Sequence, residues 1–173
     1  GQRLVGNEPF AVLLADDLID GQGAGCIKQM VEMYNEHQCG VIAVQPVPRE
    51  DTDKYGIVAT EVINDHLSRI TSIVEKPKPA VAPSTLAVVG RYILPGEIMG
   101  ILATTKRGAG NEIQLTDGIA TLLASQQVLA YQFKGTRYDC GSKLGYLQAT
   151  VDSAMKHPEV AQEFAAWLAK RQG

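Results

Sequence analysis

Two acids at the ends of apolar runs and one Glu-Lys pair carry most of the chemistry this sequence offers. Asp16 directly follows "AVLLA", residues 11 to 15, and Asp139 stands in "TRYDCGSKLGY", after an apolar stretch and before a helical one. Open α/β sheets bind ligands beyond the carboxyl ends of their parallel strands. A carboxylate there can hold Mg²⁺, a hard cation that takes one or two carboxylates and completes its shell with waters and substrate phosphates. Capping and turning the chain is the plain alternative for Asp16-Asp17. Asp139 has a structural alternative too, with Ser142 as a helix cap and Gly141 as the turn residue. The spacing by itself does not bring Asp16 and Asp139 together.

Glu75 and Lys76 end the β-like run "RITSIVE", and Pro77 takes the chain out of it. Neighbours in an extended strand point to opposite faces, so a salt bridge between them is not the natural reading. One can accept hydrogen bonds from hydroxyls while the other offers a point charge to a phosphate. A solvated strand end explains the pair without any ligand. Gly56, next to Tyr55 at the start of another strand, has no Cβ to keep a ligand from the backbone, though turn chemistry accounts for it nearly as well.

Other chemistries lack their signatures. His37, His66 and His157 are scattered, with no H-x-x-x-H spacing, and Cys26, Cys39 and Cys140 are an odd set without C-x-x-C, which suggests neither a disulfide framework nor a zinc site. Cys140 has no activating base in view, and no G-x-S-x-G elbow occurs. The GAG of residues 108 to 110 is neither G-x-x-x-x-G-K-[ST] nor a G-x-G-x-x-G following a strand, and reads as a flexible connection. With 16 basic against 19 acidic residues and a net charge of −3, no nucleic-acid surface is expected, so any phosphate the chain meets is small. No apolar stretch approaches the ~18 residues of a membrane span, and a cytoplasmic location is the default.

The elements that must position these residues are those of a single α/β layer sandwich, which 173 residues suffice to build. "FAVLL" reads as a strand covered on both faces, as in a parallel sheet. Ile27, Met30, Val31 and Tyr34 recur at i, i+3, i+4 and i+7, giving a helix that feeds the strand "VIAV", a right-handed crossover unit. From Gly56 to Leu94 the runs "GIVAT", "RITSIVE" and "LAVVGRYIL" are β-like, with a loop around Pro77, Pro79 and Pro83, and indicate a mixed or antiparallel part of the sheet. A short helix over "GEIMGIL", a helix through Leu115, Ile119 and Leu122, the strand "VLAYQF" and two C-terminal helices broken at His157-Pro158 complete the chain. The opening "GQRLVGNEPFAVLLADD" has no starting Met and reaches an apolar strand within ten residues, as in a piece cut from a longer sequence.

In order and spacing, "AVLLADDLID", "DKYGIV", "VEKPKPAVAPSTLAVVGRYIL", "GAGNEIQLTDGI" and "YDCGSKLGYLQA" resemble the bacterial UTP–glucose-1-phosphate uridylyltransferases, or UDP-glucose pyrophosphorylases, among the sugar-phosphate nucleotidylyltransferases. The resemblance runs along nearly the whole chain. It implies an α/β, three-layer nucleotide-diphospho-sugar transferase fold with a mixed, mainly parallel sheet, and transfer of a uridylyl group from UTP to glucose 1-phosphate with Mg²⁺ as cofactor. By the same resemblance Asp16 and Asp139 are the metal acids, Gly56 and Val88 backbone contacts to the sugar, Glu75 the acceptor of sugar hydroxyls, and Lys76 the catalytic lysine on the sugar phosphate. The family's G-x-G-T-R loop and K-x-x-L-P-like stretch, which hold the triphosphate and the base, are absent from residues 1–173. The chain therefore matches the C-terminal three fifths of such an enzyme, one partial domain with the first half of the fold lacking, and activity is expected only with the missing part. The likeness also leaves a thymidylyltransferase, or a non-catalytic sugar-phosphate-binding or oligomerisation module, as alternatives. A homo-oligomer is expected, with the helix carrying Trp167 as a packing surface.

Overall fold

Strict alternation along three strands builds two cores on one sheet. In β3 (Gly40–Pro46), β6 (Leu86–Leu94) and β7 (Val128–Gln132), the residues Val41, Ala43, Val89, Ile93 and Leu129 bury one face, while Ile42, Val44, Val88, Tyr92, Val128 and Ala130 bury the other. The computed structural model describes residues 1–108 and 111–172, so residues 109 and 110 of the GAG connection lie outside the described residues. Helix α2 (Cys26–His37), which follows the four-residue helix α1 (Gln2–Val5), covers the first face through Cys26 and Met30. Helices α3 (Ile98–Thr104) and α4 (Leu115–Leu122) cover the second through Ile98, Ile119 and Leu122. Burial pushes the Cys26 thiol up to about 11, so it packs as a neutral group. The periodicities read from the sequence mark these helices within a residue or two.

The large sheet is mixed, with strand order β1-β6-β3-β7-β5-β4, where β1 is Phe10–Leu13, β4 Gly56–Val62 and β5 Leu67–Glu75. The expectation of a mainly parallel sheet needs correction. Among the described residues only β3 and β7 pair in parallel, and the other pairings are antiparallel. The cause is the β4–β5 hairpin together with β6, which runs antiparallel to both of its neighbours β1 and β3. The sheet also curls until Ile57 of β4 bridges Ala87 of β6. Strand β1 is not covered on both faces either: among the described residues it is an edge strand paired with β6, and Leu13 is 56% exposed. An apolar run reports a preference for burial without saying what supplies the cover.

A second, two-stranded sheet was not foreseen. It pairs β2 (Asp17–Asp20) with β8 (Thr136–Asp139), antiparallel, with Asp17 opposite Asp139. The connection into β8 is tied to α2 by the buried Gln29, whose amide nitrogen donates to the carbonyls of Ala24 and Lys134 at 2.7 and 2.8 Å. Its amide oxygen accepts from the Lys134 N–H and the Tyr131 hydroxyl at 2.9 and 3.2 Å. Ser142 caps α5 (Lys143–Lys156), accepting from the Gly145 N–H at 3.0 Å as its sequence position suggests. Beyond the break at His157-Pro158, α6 (Ala161–Gln172) packs on α5, with Trp167 stacked on Phe164 at 5.6 Å and 49% exposed. Among the described residues no helix is long and apolar enough to cross a membrane.

Candidate active site

All six residues singled out from the sequence border one cleft of about 300 Å³, walled by the ends of β1, β5 and β8, the start of β4 and the middle of β6. Asp16, Gly56, Glu75 with Lys76, Val88 and Asp139 come from five separate stretches that the two sheets bring together.

On the β4–β5 side, Gly56 and Glu75 are cross-strand partners. A Cβ on Gly56 would stand 2.9 Å from Thr116 Cγ2 and 3.3 Å from Glu75 Oε2, so glycine is what lets these groups close in. Thr116, buried at the start of α4, donates its hydroxyl to Glu75 Oε2 at 3.0 Å, which fixes a largely buried carboxylate. The expected opposition of Glu75 and Lys76 fails. Lys76 has φ +45°, outside the extended region, and its N–H donates to the Tyr55 carbonyl at 3.0 Å. The bend brings Lys76 Nζ within 3.9 Å of Glu75 Oε1, with the lysine side chain 57% exposed along the cleft. At that separation and exposure the pair contributes little stability, so the ammonium is not committed to its neighbour.

On the other side, the β2–β8 ladder sets Asp17 opposite Asp139, and one residue beyond it Asp16 meets Cys140. The Cys140 N–H donates to the Asp16 carbonyl at 2.7 Å. Asp16 Oδ2 and Asp139 Oδ1 lie 3.2 and 3.1 Å from where a Cβ on Gly141 would be, so the two carboxylates flank the small concavity its missing side chain leaves. Two hard oxygen donors at an open cleft fit a divalent cation that keeps waters and takes the rest of its ligands from phosphates. Among the described residues no cluster of three or more His, Cys, Asp or Glu forms an all-protein cage.

Several cleft residues were missed. Asp17, Tyr55, Gly90, Tyr92, Thr116 and Arg137 all line it. Arg137 was within reach of sequence reasoning, since it precedes Asp139 by two positions on one strand and so shares its face. Tyr92 is buried, and burial, helped by the negative charges of Glu75 and Asp17, raises its phenol well above the usual range, so it offers the cleft a neutral hydroxyl. His66 and His157 are exposed and take no part.

A family model for nucleotidyl transferases matches residues 1–156. This chain belongs to the nucleotidyl transferase family. As a nucleotidyl transferase it is similar to the UTP–glucose-1-phosphate uridylyltransferase of Pseudomonas aeruginosa, with 50% identity over 151 residues, 87% of this chain and 54% of that protein. It is similar in structure to a UDP-glucose pyrophosphorylase complexed with UDP-glucose, with a TM-score of 0.87 and 46% identity over 91% of this chain and 60% of the other. A UTP-bound UDP-glucose pyrophosphorylase from Acinetobacter baumannii superposes with a TM-score of 0.86 at 42% identity, covering 97% and 58% of the two chains. This nucleotidyl transferase chain thus spans between half and two thirds of the length of these relatives.

Proposed function

We propose that this chain forms the sugar-phosphate side of a UTP–glucose-1-phosphate uridylyltransferase, and that the whole enzyme converts UTP and glucose 1-phosphate to UDP-glucose and pyrophosphate. The observation that carries this reading is the convergence of Gly56, Glu75, Lys76 and Val88 with Asp16 and Asp139 on one cleft. The names of the similar proteins, and the UDP-glucose and UTP complexes among them, support it.

In the reaction a phosphate oxygen of glucose 1-phosphate forms a bond to the α-phosphorus of UTP. The bond from that phosphorus to the oxygen bridging to the β-phosphate breaks, and pyrophosphate leaves with the electron pair. Nothing on the protein is acylated or phosphorylated, so the work is positioning and charge neutralisation. Glu75, held by Thr116, accepts hydrogen bonds from sugar hydroxyls and fixes the ring, with Gly56 and Val88 as its backbone wall. Lys76 sets a positive charge beside the sugar phosphate, offsetting the repulsion between two anions that must meet. Asp16 and Asp139 would hold Mg²⁺, whose charge would neutralise the reacting phosphates. No G-x-G-T-R segment lies in this chain, so we assign nucleotide binding and turnover to an enzyme that carries one. We place that enzyme in the cytoplasm as a homo-oligomer, with the exposed Trp167 face of α6 as a packing surface.

Calorimetric titration of glucose 1-phosphate and UDP-glucose with Mg²⁺ into this chain, after circular dichroism establishes that it is folded, tests the reading. Binding is expected, and Glu75→Ala is expected to abolish it while leaving the fold intact. A folded Glu75→Ala protein that binds both ligands as the wild type does would remove Glu75 from the sugar site.

A further inference from the structure

The two carboxylates assigned above to a cation lie at the end of the smaller sheet. The β2–β8 sheet has two strands of four residues, and a two-stranded ribbon of that size is marginal by itself. Asp16 precedes β2 and Asp139 ends β8, so any slip of this ribbon changes the distance between them. Asp17 stands at the junction. Its Oδ2 accepts from the Gly90 N–H on β6 at 2.8 Å, and its Oδ1 accepts from Arg137 Nε on β8. Arg91 donates to the Asp17 carbonyl and, at 3.0 Å, to that of Leu14. Both carboxylate oxygens of Asp17 are thereby engaged, and the Asp17 and Arg137 side chains are 9% and 7% exposed.

The circuit closes on the second acid. The Arg137 guanidinium lies 5.1 Å from the centre of the Tyr55 ring, and the Tyr55 hydroxyl donates to Asp139 Oδ2 at 3.4 Å. Burial would lower the Arg137 pKa, but its bonds to Asp17 and Tyr55 outweigh this and raise it, so the guanidinium stays charged. Gly90 permits the arrangement, since a Cβ there would stand 2.6 Å from Asp17 Oδ2 and 2.5 Å from Leu14 Cβ. A buried ion pair adds little stability over a well-packed apolar pair, which leaves the fixing of geometry as the role to test here.

We propose that the Asp17–Arg137 ion pair is a positioning strut that ties the β2–β8 ribbon to the large sheet and sets the spacing of Asp16 and Asp139. Asp17 is then not a third metal ligand, despite standing next to the first. The inference rests on the assignment of those two acids to a divalent cation. The sign of one effect separates it from simple electrostatics. Removing the positive charge of Arg137 from beside a cation site strengthens cation binding by Coulomb's law, whereas removing a strut weakens it.

Mn²⁺ titrated into this chain, with the free ion counted by electron paramagnetic resonance, gives the test. Wild-type binding is expected to be lost in Asp16→Asn and Asp139→Asn. It is expected to weaken about tenfold in Arg137→Met, as for other supporting residues behind metal ligands. Arg137→Gln, which keeps an N–H donor for Asp17 without the charge, should also bind more weakly than wild type, and it carries the test if Arg137→Met does not fold. Folded Arg137 variants that bind Mn²⁺ as tightly as the wild type, or more tightly, would overturn the strut while leaving the metal assignment standing. A wild-type chain that binds no Mn²⁺, or an Asp16→Asn chain that binds it undiminished, would overturn the metal assignment and the strut with it.

Discussion

Replacing Lys76 by alanine is expected to lower kcat/KM for uridylyl transfer by about a hundredfold in an enzyme that joins this chain to its G-x-G-T-R segment, the scale seen when one preorganised donor to a developing anion is removed. The expectation follows from where the ammonium stands. Its φ of +45° turns Lys76 out of the strand and into the cleft, 3.9 Å from a carboxylate that Thr116 already holds. The side chain is more than half exposed and sits at the surface of the fold, so its loss costs little stability and leaves the cleft built. In the proposed reaction the phosphate of glucose 1-phosphate must approach another anion, and Lys76 would be the cation beside it. Steady-state kinetics with varied glucose 1-phosphate, alongside thermal denaturation, separates the two effects. Wild-type kcat/KM in a folded Lys76→Ala enzyme would remove the lysine from the reaction.

Asp16→Asn is expected to have a comparably large effect, by a different route. The substitution keeps the size and hydrogen-bonding shape of the side chain but removes a charge from a pair of carboxylates that flank the Gly141 concavity. A hard divalent cation prefers charged oxygen donors, so the variant should require much more Mg²⁺ for turnover and fall by about a hundredfold at low Mg²⁺. Rate measured against Mg²⁺ concentration reads this directly. An unchanged Mg²⁺ profile would mean that Asp16 is no ligand.

Part of this site was legible in the residues themselves, and the rest came from the family resemblance. Strands announce themselves by apolar runs and ligands gather at strand ends, so Asp16 and Glu75, which each close such a run, were candidates by position, whereas the resemblance supplied Val88 and the roles of Lys76 and Asp139. What the sequence did not disclose was which ends meet. The approach of Asp16 and Asp139 to Gly141 depends on a ribbon whose strands, "DLID" and "TRYD", are too short and too polar to show a period. Backbone exceptions were equally hidden: the rule that neighbours on a strand face apart misplaced Lys76, because a single residue left the extended region. Burial was over-read in one direction. "FAVLL" became an edge strand with Leu13 exposed, and Leu144 and Leu147, on a helix that formed as expected, are 67% and 59% exposed. Periodicity sets which face of an element is apolar, while the neighbour that covers it is a property of the whole fold.

Whether the cleft between β5, β6 and β8 receives a sugar phosphate can be read by nuclear magnetic resonance. Glucose 1-phosphate and Mg²⁺ are added to ¹⁵N-labelled chain while the backbone amide signals are followed. The expected result is that the amides of Gly56, Lys76, Val88 and Gly141 shift together as the ligand saturates, with those on the α2 face unmoved. Shifts confined to another surface, or a folded chain whose spectrum does not change at millimolar ligand, would contradict it.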